Sequence, residues 1–410
     1  PPCPTSSALS VPSSPTRTNL HALRNAARKE PRALAEERAR HPFGDIQTVP
    51  LDYLPKAWSE PEGTLQDTVY EAYDLQAIRI DGAALHPTAL VQSAAMASVP
   101  PPVPTYRPVL PKTLVEDGLL SAPQLESVIY AGNAHETHLK GWFKRGEIEG
   151  QLMAAAEGDE GAFRLRKGWF LGDGTGCGKG RQVAGIILDN WLQGRRRAVW
   201  VSKSDKLIED ARRDWMALGG RESDIVPLSK FRQGGDIRLP EGILFVTYAT
   251  LRSAEREGKA SRLDQVTSWL GEGFDGVIAF DESHAMANAA GEKSDRGDKK
   301  ASQQGLAGLA LQNAMPDARV LYVSATGATV VGNLAYASRL GLWGTGDFPF
   351  VTRAEFVAAM EAGGIAAMEM ISRDLKALGL YLARSLSYAG VEYEMLVHEL
   401  TPAQVAIYDS

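Results

Sequence analysis

The sequence predicts an α/β protein built on a mostly parallel sheet. Five short runs are apolar throughout, without the alternation of a half-exposed strand: "GWFLG", "AVWVS", "ILFVTY", "GVIAF" and "VLYVSA". Such runs are typical of strands buried on both faces of a parallel sheet. Segments with helical periodicity separate them. With 410 residues, 44% of them hydrophobic, the chain is long enough to bury a large core.

Composition narrows the class of protein. No apolar run approaches the roughly 20 residues that a membrane helix needs, so a soluble globular protein is expected. Two cysteines, Cys3 and Cys177, are too few and too far apart for a disulfide framework, which favours a reducing compartment. The net charge of −6 argues against a generally basic nucleic-acid coat and leaves a local basic groove open.

The first part of the chain differs in composition from the rest. Residues 1–42 predict a disordered tail leading into a charged helix. No acidic residue precedes Glu30, as in a transit peptide, although ordinary disorder is the favoured interpretation. Residues 43–110 predict an N-terminal extension that ends in "VPPPVPTYRPVLP", where the prolines prevent a helix and favour an extended connector over a neighbouring domain.

The segment "GDGTGCGKG", residues 172–180, follows the first apolar run at Leu171 and precedes an apolar helical pattern that Gly194 ends. Strand, glycine loop and helix form the context of a phosphate-binding loop. Gly174, Gly176 and Gly178 would let backbone amides approach an anion at the helix N-terminus. Taken alone, the motif fits a glycine-rich turn with a solvated lysine equally well.

A second motif, "GVIAFDESH", ends an apolar run in two carboxylates. Asp281 would hold Mg²⁺ and Glu282 would polarise the attacking water. Acidic pairs also occur at ordinary helix starts. That alternative weakens because a phosphate loop precedes the pair by about a hundred residues.

Three further polar segments occur at positions that suit a nucleotide-driven motor. Gln124 would bond an adenine edge, or would be an ordinary surface glutamine. "VTYATL", which includes Thr247 to Leu251, follows a strand where motor domains contact a nucleic-acid backbone. Ser324 and Thr326 of "VSATG" would lie near Asp281 and His284, or would only cap the next helix.

Together these motifs resemble the strawberry notch family of DExH-box superfamily II helicases. The resemblance covers about residues 80–410 and is carried by "FLGDGTGCGKGRQVAGIILDNWL", "RAVWVSKSDKLIEDARRDW", "FDGVIAFDESHAMAN", "VSATGATVVGNLAYASRLGLWG" and "LARSLSYAGVEYE". It implies a RecA-like P-loop NTPase lobe over residues 111–400, with ATP and Mg²⁺ as cofactors.

The resemblance also implies a role for each matching residue. It places nucleotide binding on Gln124, Gly174, Thr175, Gly176, Cys177, Gly178, Lys179, Gly180 and Arg181. It places the chemistry on Lys179, Asp281, Glu282 and His284, with Asp281 as the metal ligand. It places coupling to nucleic acid on Ser202, Thr247, Ser324, Ala325 and Thr326.

Gly180 stands where most phosphate loops carry Ser or Thr, and in this family the loop characteristically reads G-D-G-x-G-x-G-K-G-R. Without that hydroxyl, Mg²⁺ should depend more on Asp281, the phosphates and water, while Arg181 adds positive charge. Asp173 beside an anion site is unfavourable unless its side chain turns away or caps backbone amides.

The resemblance implies that a second motor lobe is missing from this chain. Superfamily II motors close the ATP site with arginines of that lobe, and no Q-x-x-G-R-x-x-R motif follows residue 330. Residues 401–410 lie in "ELTPAQVAIYDS", which resembles the start of the linker to that lobe. The first lobe alone is expected to bind nucleotide and to hydrolyse it poorly.

Weaker signals carry two interpretations each. Arg195–Arg197, with Arg212 and Arg213, would line a phosphate-backbone path or would be merely solvated. Residues 289–305 predict a mobile loop that orders on nucleic acid or is a plain insertion. Cys177 would make the loop sensitive to thiol modification, or would only satisfy a need for a small side chain.

The leading hypothesis is therefore an ATP-dependent helicase or translocase lobe that binds nucleic acid, DNA rather than RNA. A nucleotide-gated scaffold that recruits partners is the alternative. A small-molecule kinase or GTPase is disfavoured by the "SAT" and "DESH" segments. Composition and the upstream segment favour a bacterial or phage source and hence the cytoplasm, or the nucleus in a eukaryote.

Overall fold

The computed structural model describes residues 32–59, 70–146, 152–253, 260–287, 289, 302–325, 334–344, 347–392 and 394–408. The chain divides into two compact units, Pro1–Ile46 and Gln47–Ser410. In the first unit, helix Arg32–Arg40 confirms the charged helix expected there. The rest of the predicted tail, residues 1–31, lies outside the described residues.

A seven-stranded sheet forms the centre of the second unit. Its strands are β1 Trp169–Leu171, β2 Arg197–Ser202, β3 Ile225–Pro227, β4 Gly242–Thr247, β5 Val277–Asp281, β6 Arg319–Val323 and β7 Tyr381–Leu382. Their spatial order is β3-β4-β2-β5-β6-β1-β7. Each of the six pairings is parallel. The predicted sheet is confirmed, and β3 and β7 extend it at its two sides.

Helices lie between successive strands, as parallel pairing requires, except between β3 and β4, where the chain forms only the 3-10 turn Leu228–Lys230. The longer ones are α1 Ala122–His135, α2 Lys179–Leu192, α3 Ile208–Met216, α4 Arg262–Leu270, α5 Gln303–Ala314 and α6 Arg353–Ala377. Helices of four to seven residues are Ala94–Ala97, Thr113–Glu116, Tyr248–Leu251 and Pro402–Tyr408. Helix α6 is interrupted at Gly364, where φ is 58°. Among the described residues, no helix is both long and apolar enough to cross a membrane.

Small antiparallel sheets surround the central one. The strand pairs are Thr48–Pro50 with Val109–Pro111 and Leu54–Pro55 with Ile78–Arg79. The three-stranded sheets are Tyr70–Ala72, Leu90–Ser93 and Ser385–Leu386, and Leu152–Ala155, His138–Arg145 and Phe163–Arg166. The first three-stranded sheet brings the chain that leaves β7 back against the N-terminal extension.

The proline-rich connector is extended, as predicted. Residues 100–108 contain neither helix nor strand and lie across α1 and α2. The Thr105 amide donates to Asn133 Oδ1 at 2.9 Å. At the end of the connector, the Val109 amide donates to Asp189 Oδ1 at 2.7 Å, and the Tyr106 hydroxyl donates to the other oxygen of the same carboxylate. The connector has no strand partner here, so side-chain oxygens accept the hydrogen bonds of its backbone amides.

The core beside the sheet is rich in buried aromatic side chains. Phe280 of β5 stacks on Tyr322 of β6 with ring centroids 6.0 Å apart, and on its other side faces Tyr248 at 6.5 Å. These three side chains are at most 1% exposed. Helix α5 begins at Gln303 because the Ser302 hydroxyl accepts from the Gly305 amide at 3.2 Å. The mobile loop expected at 289–305 therefore ends earlier than predicted, and its residues 290–301 lie outside the described residues.

Candidate nucleotide site

The predicted motifs meet along the carboxyl edge of the sheet. Leu171, the last residue of β1, pairs with Val323 of β6, and Val323 pairs with Asp281 of β5. On β2, Ser202 pairs with Thr247 of β4. The phosphate loop, the "SAT" and "DESH" segments and Ser202 therefore emerge side by side, where ligands bind in open α/β sheets.

The phosphate loop has the backbone that its glycines predict. Gly176 has φ 90° and Gly178 has φ 77°, both left-handed conformations that disfavour other residues. The amides of Thr175, Gly176 and Gly178 find no acceptor among the described residues. The Cys177 amide between them donates to the Gly174 carbonyl at 3.4 Å. Free amides before the first turn of α2 are suited to binding an anion.

Lys179 and Gln124 both contact this loop. Lys179 Nζ donates to the Gly174 carbonyl at 3.2 Å, a single bond that a phosphate oxygen can replace. Gln124 lies against Gly178, where an added Cβ would be 2.4 Å from its Nε2. Its Oε1 caps α1 by accepting from the Ser121 amide at 3.0 Å. Adenine recognition by Gln124 remains a prediction.

The structure resolves the difficulty of Asp173, which turns away from the loop into the interior. Its side chain is 1% exposed. Oδ1 accepts from Arg384 Nε at 2.9 Å and from the Arg384 amide at 3.0 Å. Oδ2 accepts from Arg384 Nη2 at 2.8 Å and from Gln182 Nε2 at 2.9 Å. Its charge is thus matched by a buried guanidinium and does not oppose an anion in the loop.

Arg384, at the end of "YLAR", was not singled out by the sequence. Its side chain is fully buried and also donates to Ser127 Oγ at 2.6 Å and to Glu126 Oε2 at 3.3 Å on α1. The Gly174 amide donates to the Arg384 carbonyl at 2.6 Å. Arg384 therefore ties the phosphate loop, α1 and the strand after β7 together. Two features of the sequence could have indicated this pair: Arg384 follows an apolar run, and Asp173 is a carboxylate in a loop expected to bind an anion.

Cys177 does not have the exposure that thiol modification needs. It is 1% exposed, and its Sγ faces the Arg384 carbonyl at 3.5 Å. Burial, reinforced by Asp173, raises the pKa of the thiol to about 11. The expectation of a modifiable thiol is therefore wrong, because the thiolate is the reactive species. The alternative, a position that needs a small side chain, agrees with this packing.

Gly180 and Arg181 meet an acidic neighbour from α3. A Cβ on Gly180 would lie 2.2 Å from Asp214 Oδ2, so that carboxylate fills the space of the missing side chain. Arg181 Nε is 3.4 Å from Asp214 Oδ1, and Arg181 Nη1 donates to the Leu119 carbonyl at 3.2 Å. The guanidinium is held by protein groups in this state, and its contribution to phosphate binding stays a prediction.

Asp281 ends β5 with its carboxylate held in place. Oδ2 accepts from Ser202 Oγ at 3.0 Å, and Oδ1 accepts from the Glu282 amide at 3.0 Å. Burial and the neighbouring Glu282 raise the pKa of Asp281 to about 6. Glu282 is the one residue other than glycine with positive φ, 50°, among those described. This strained backbone aims Glu282 outward beside Asp281, as is common at functional sites.

His284 joins the acidic motif to the "SAT" segment. Its Nδ1 is 3.2 Å from Glu282 Oε2 and 3.2 Å from Ser324 Oγ. Ser324 is fully buried, and its amide donates to the Leu171 carbonyl at 3.0 Å. The predicted proximity of Ser324 and His284 is confirmed. Ala325 follows Ser324 directly, whereas Thr326 lies outside the described residues.

Thr247 and Ser202 use their hydroxyls inside the fold. Thr247 is 4% exposed and accepts from the Thr250 amide at 3.1 Å, as the N-cap of Tyr248–Leu251. Ser202 is fully buried on Asp281. The role of Thr247 and Ser202 in coupling to nucleic acid stays a prediction. Because both hydroxyls are buried, either residue would have to affect nucleic-acid binding through the groups that it contacts.

The basic clusters singled out in the sequence bind protein groups. Arg195–Arg197 lie at the start of β2, on the edge opposite the motifs. Arg195 Nε donates to Asn190 Oδ1 at 2.6 Å, and Arg197 Nη1 donates to the Trp269 carbonyl at 2.7 Å. Arg212 pairs with Glu209 at 2.9 Å and Arg213 with Asp210 at 2.6 Å. These bonds favour a local structural role over a phosphate path.

The residues at the carboxyl edge suit a nucleotide with magnesium. Free amides and Lys179 match the charge of phosphates. Within the described residues, no group of three or more His, Cys, Asp and Glu side chains is placed to hold a metal by itself. Mg²⁺ commonly binds through one or two carboxylates together with substrate phosphates and water, so Asp281 beside a bound phosphate chain fits it.

Sequence comparison places this chain among known proteins. A family model described as "P-loop containing NTP hydrolase pore-1" matches residues 85–410. The chain is 39% identical over 333 residues to "Protein strawberry notch homolog 1" of Gallus gallus, covering 79% of this chain and 24% of that protein. It is 41% identical over 326 residues to "Protein strawberry notch homolog 2" of Mus musculus, covering 79% and 22%. The chain thus spans less than a quarter of these relatives.

More distant similarity extends beyond animals. "Protein FORGETTER 1" of Arabidopsis thaliana is 36% identical over 328 residues, covering 79% of this chain and 23% of that protein. Among solved structures, "Sulfolobus solfataricus SWI2/SNF2 ATPase core in complex with dsDNA" aligns with TM-score 0.36 and 15% identity, covering 53% of this chain and 40% of that chain. That alignment is too weak to support a conclusion about this protein.

Proposed function

The chain belongs to the strawberry notch family of P-loop NTP hydrolases, and from this premise we propose that it binds Mg-ATP as the first lobe of a DExH-type superfamily II helicase or translocase. The proposed lobe covers residues 111–400. It follows an extension at 43–110 and a tail at 1–42, and residues 401–410 begin the linker to a second lobe.

One observation carries this proposal: a glycine loop with free backbone amides and the buried carboxylate of Asp281 lie together at the carboxyl edge of one sheet. The amides of Thr175, Gly176 and Gly178 would hold the phosphates, and Lys179 would exchange the Gly174 carbonyl for a phosphate oxygen. Asp281, oriented by Ser202, would hold the metal. Bound Mg²⁺ would neutralise charge on the phosphates. Gln124, beside Gly178, would turn its amide toward the adenine.

Hydrolysis and coupling would use the adjoining residues. Glu282 projects from a strained backbone beside Asp281 and would polarise the attacking water. His284 contacts both Glu282 and Ser324, so a change at the catalytic glutamate would reach the "SAT" segment through one side chain. That contact is the proposed path from nucleotide state to nucleic acid.

Efficient hydrolysis would need a second lobe over this edge. The segment after Leu386 exposes large apolar side chains, including Met395 at 82%, Leu396 at 93% and Val397 at 73%. Contiguous exposed apolar groups of this size commonly mark an interaction surface. We assign that surface to the second RecA-like lobe of the motor, which would also supply the arginines that stabilise the transition state.

Nucleic acid, with DNA preferred to RNA, is the proposed track. Lys203 and Lys206 follow Ser202 at the carboxyl edge, and Arg252 follows the helix that Thr247 caps. All three are exposed. Exposed cations beside the nucleotide site suit a phosphate backbone, whereas Arg195–Arg197 on the opposite edge do not.

Nucleotide binding is tested by titrating the chain with a fluorescent ATP analogue, mant-ATP, in the presence of Mg²⁺. We expect saturable binding that Lys179→Ala abolishes. Lys144→Ala is the matched control, because Lys144 lies in strand His138–Arg145 at the other edge. Absence of binding by the unaltered chain, or equal binding by Lys179→Ala, would refute the site.

DNA binding is tested by fluorescence anisotropy with a labelled duplex over a range of salt concentrations. Each of Lys203→Ala and Lys206→Ala should lower the slope of log K against log salt by about 0.9, the value for one phosphate contact on duplex DNA. Lys144→Ala should leave it unchanged. Unaltered slopes in both variants would show that neither lysine contacts the DNA backbone. Binding that does not depend on salt would argue against a nucleic-acid motor.

A further inference from the structure

The space above Gly180 is occupied by a carboxylate from another helix. An added Cβ would lie 2.2 Å from Asp214 Oδ2, closer than real Cβ atoms come to another atom, and 3.3 Å from Asp214 Cγ, a tight contact. In the usual phosphate loop this position carries Ser or Thr, whose hydroxyl ligates Mg²⁺. An oxygen from α3 therefore lies where the hydroxyl-bearing side chain of the loop would otherwise be.

The charge of Asp214 is only loosely matched by protein groups. Its side chain is 14% exposed, and its two ion-pair distances are long: 3.4 Å to Arg181 Nε and 3.8 Å to Arg213 Nη2. Arg213 has a shorter partner in Asp210 at 2.6 Å. Charge-assisted bonds are normally 2.7 to 2.9 Å, roughly, so neither arginine fully satisfies this carboxylate. A mostly buried carboxylate with weak partners is a candidate for binding a cation.

Asp214 is also held rigidly against the loop. Helix α3 packs on α2 through Trp191 and Trp215, whose ring centroids are 5.6 Å apart. Trp215, the next residue after Asp214, is fully buried and donates from Nε1 to Asp224 Oδ2 at 2.8 Å. This anchoring fixes the position of Asp214 relative to the first turn of α2 and limits its freedom to swing away.

We propose that Asp214 replaces the missing hydroxyl and supplies, directly or through a bound water, a second carboxylate oxygen to the Mg²⁺ of the bound nucleotide. This inference rests on the proposed nucleotide site and deepens it. Two carboxylates, Asp214 and Asp281, with phosphates and water would complete a coordination shell of the kind that Mg²⁺ prefers. Gly180 is then required, because any side chain would displace the carboxylate.

The test measures metal affinity apart from catalysis. Mn²⁺ serves as the probe, and its binding to the complex of the chain with mant-ATP is followed by electron paramagnetic resonance. Asp214→Asn keeps the size of the side chain and removes its charge. We expect Mn²⁺ affinity to fall about 10- to 100-fold, the usual loss for a group that supports a metal, while mant-ATP affinity in EDTA stays unchanged. Asp210→Asn, on the same helix and exposed, is the matched control and should bind Mn²⁺ as the unaltered chain does.

A swap of the two positions gives an independent check. Gly180→Ser alone should impair Mn²⁺ binding, because its Cβ collides with Asp214 Oδ2. Gly180→Ser combined with Asp214→Ala opens that space and rebuilds the usual loop hydroxyl. We expect the double variant to recover Mn²⁺ affinity to within about threefold of the unaltered chain, a non-additive rescue.

The outcomes separate this inference from the nucleotide site itself. Normal Mn²⁺ affinity in Asp214→Asn overturns the inference and leaves the nucleotide site standing. Equal losses of Mn²⁺ binding and of mant-ATP binding in EDTA, with a lowered unfolding midpoint, would also overturn it, because Asp214 would then be only structural. Failure of the unaltered chain to bind mant-ATP at all would overturn both.

Discussion

Removal of the Arg384 guanidinium should be among the most damaging single changes in this fold. Arg384→Met keeps the bulk of the side chain but takes two of the four donors from Asp173, which retains only Gln182 Nε2 and the backbone amide of residue 384. Ser127 Oγ and Glu126 lose a donor as well. Breaking a buried ion pair from one side costs about 3–5 kcal/mol, because the remaining charge is left without its partner. We therefore expect a loss of that size in the free energy of unfolding.

The assay is urea unfolding followed by circular dichroism, with two controls. Asp173→Asn combined with Arg384→Met removes both charges of that pair and leaves only Glu126 without its cation, so it should recover about half of the loss. Arg79→Met breaks an exposed pair, Arg79 with Asp81 at 2.8 Å, and should cost less than about 1 kcal/mol. If Arg384→Met lost no more stability than Arg79→Met, the Asp173–Arg384 pair would not be the support of the loop that its burial indicates.

Three further predictions concern the glycine loop, Glu282 and the stability of the fold. Gly178→Ala should weaken mant-ATP binding about tenfold, because φ is 77° and the methyl meets Gln124 Nε2 at 2.4 Å; unchanged binding would contradict this. Glu282→Gln should bind mant-ATP normally and release phosphate from ATP more slowly than the unaltered chain in a single-turnover assay, and equal rates would exclude Glu282 as the group that polarises the attacking water. Burial lowers the pKa of His135 to about 3, below its unfolded value of 6.5, so the unfolded chain takes up a proton first and stability falls with falling pH. Between pH 7.5 and 5.5 this loss is about 1.4 kcal/mol, and His135→Gln should lack it in urea unfolding at the two pH values.

Most strands of the central sheet were predictable because each is a short apolar run that can be recognised from its own residues. β2, β4, β5 and β6 are apolar runs of five or six residues, and each is buried on both faces. β3 and β7 were not predicted: β7 has two residues, and β3 has three and ends in Pro227, and no recognisable motif follows either of them. The three-residue β1 was predicted because the glycine loop follows it directly. Strands this short have no period to detect, and their pairing depends on neighbours that are distant in the chain.

The candidate site likewise contains residues that the sequence indicates and residues that only the fold reveals. The phosphate loop and the Asp281–Glu282 pair are contiguous motifs whose chemistry can be inferred from their spacing. Arg384 and Asp214 matter only through contacts made across the fold: Arg384 bonds Asp173 at a separation of 211 residues, and Asp214 meets Arg181 at a separation of 33. The unusual residues Asp173 and Gly180 were visible in the sequence. The partners that explain them were not, because they lie on other elements of the fold.

A crystal structure of the chain with Mg²⁺ and a non-hydrolysable ATP analogue tests the central claim most directly. The account predicts phosphates on the amides of Thr175, Gly176 and Gly178, Lys179 Nζ released from the Gly174 carbonyl, and Mg²⁺ beside Asp281. A nucleotide bound elsewhere, with Lys179 still on Gly174, would contradict the assignment of this edge as the site.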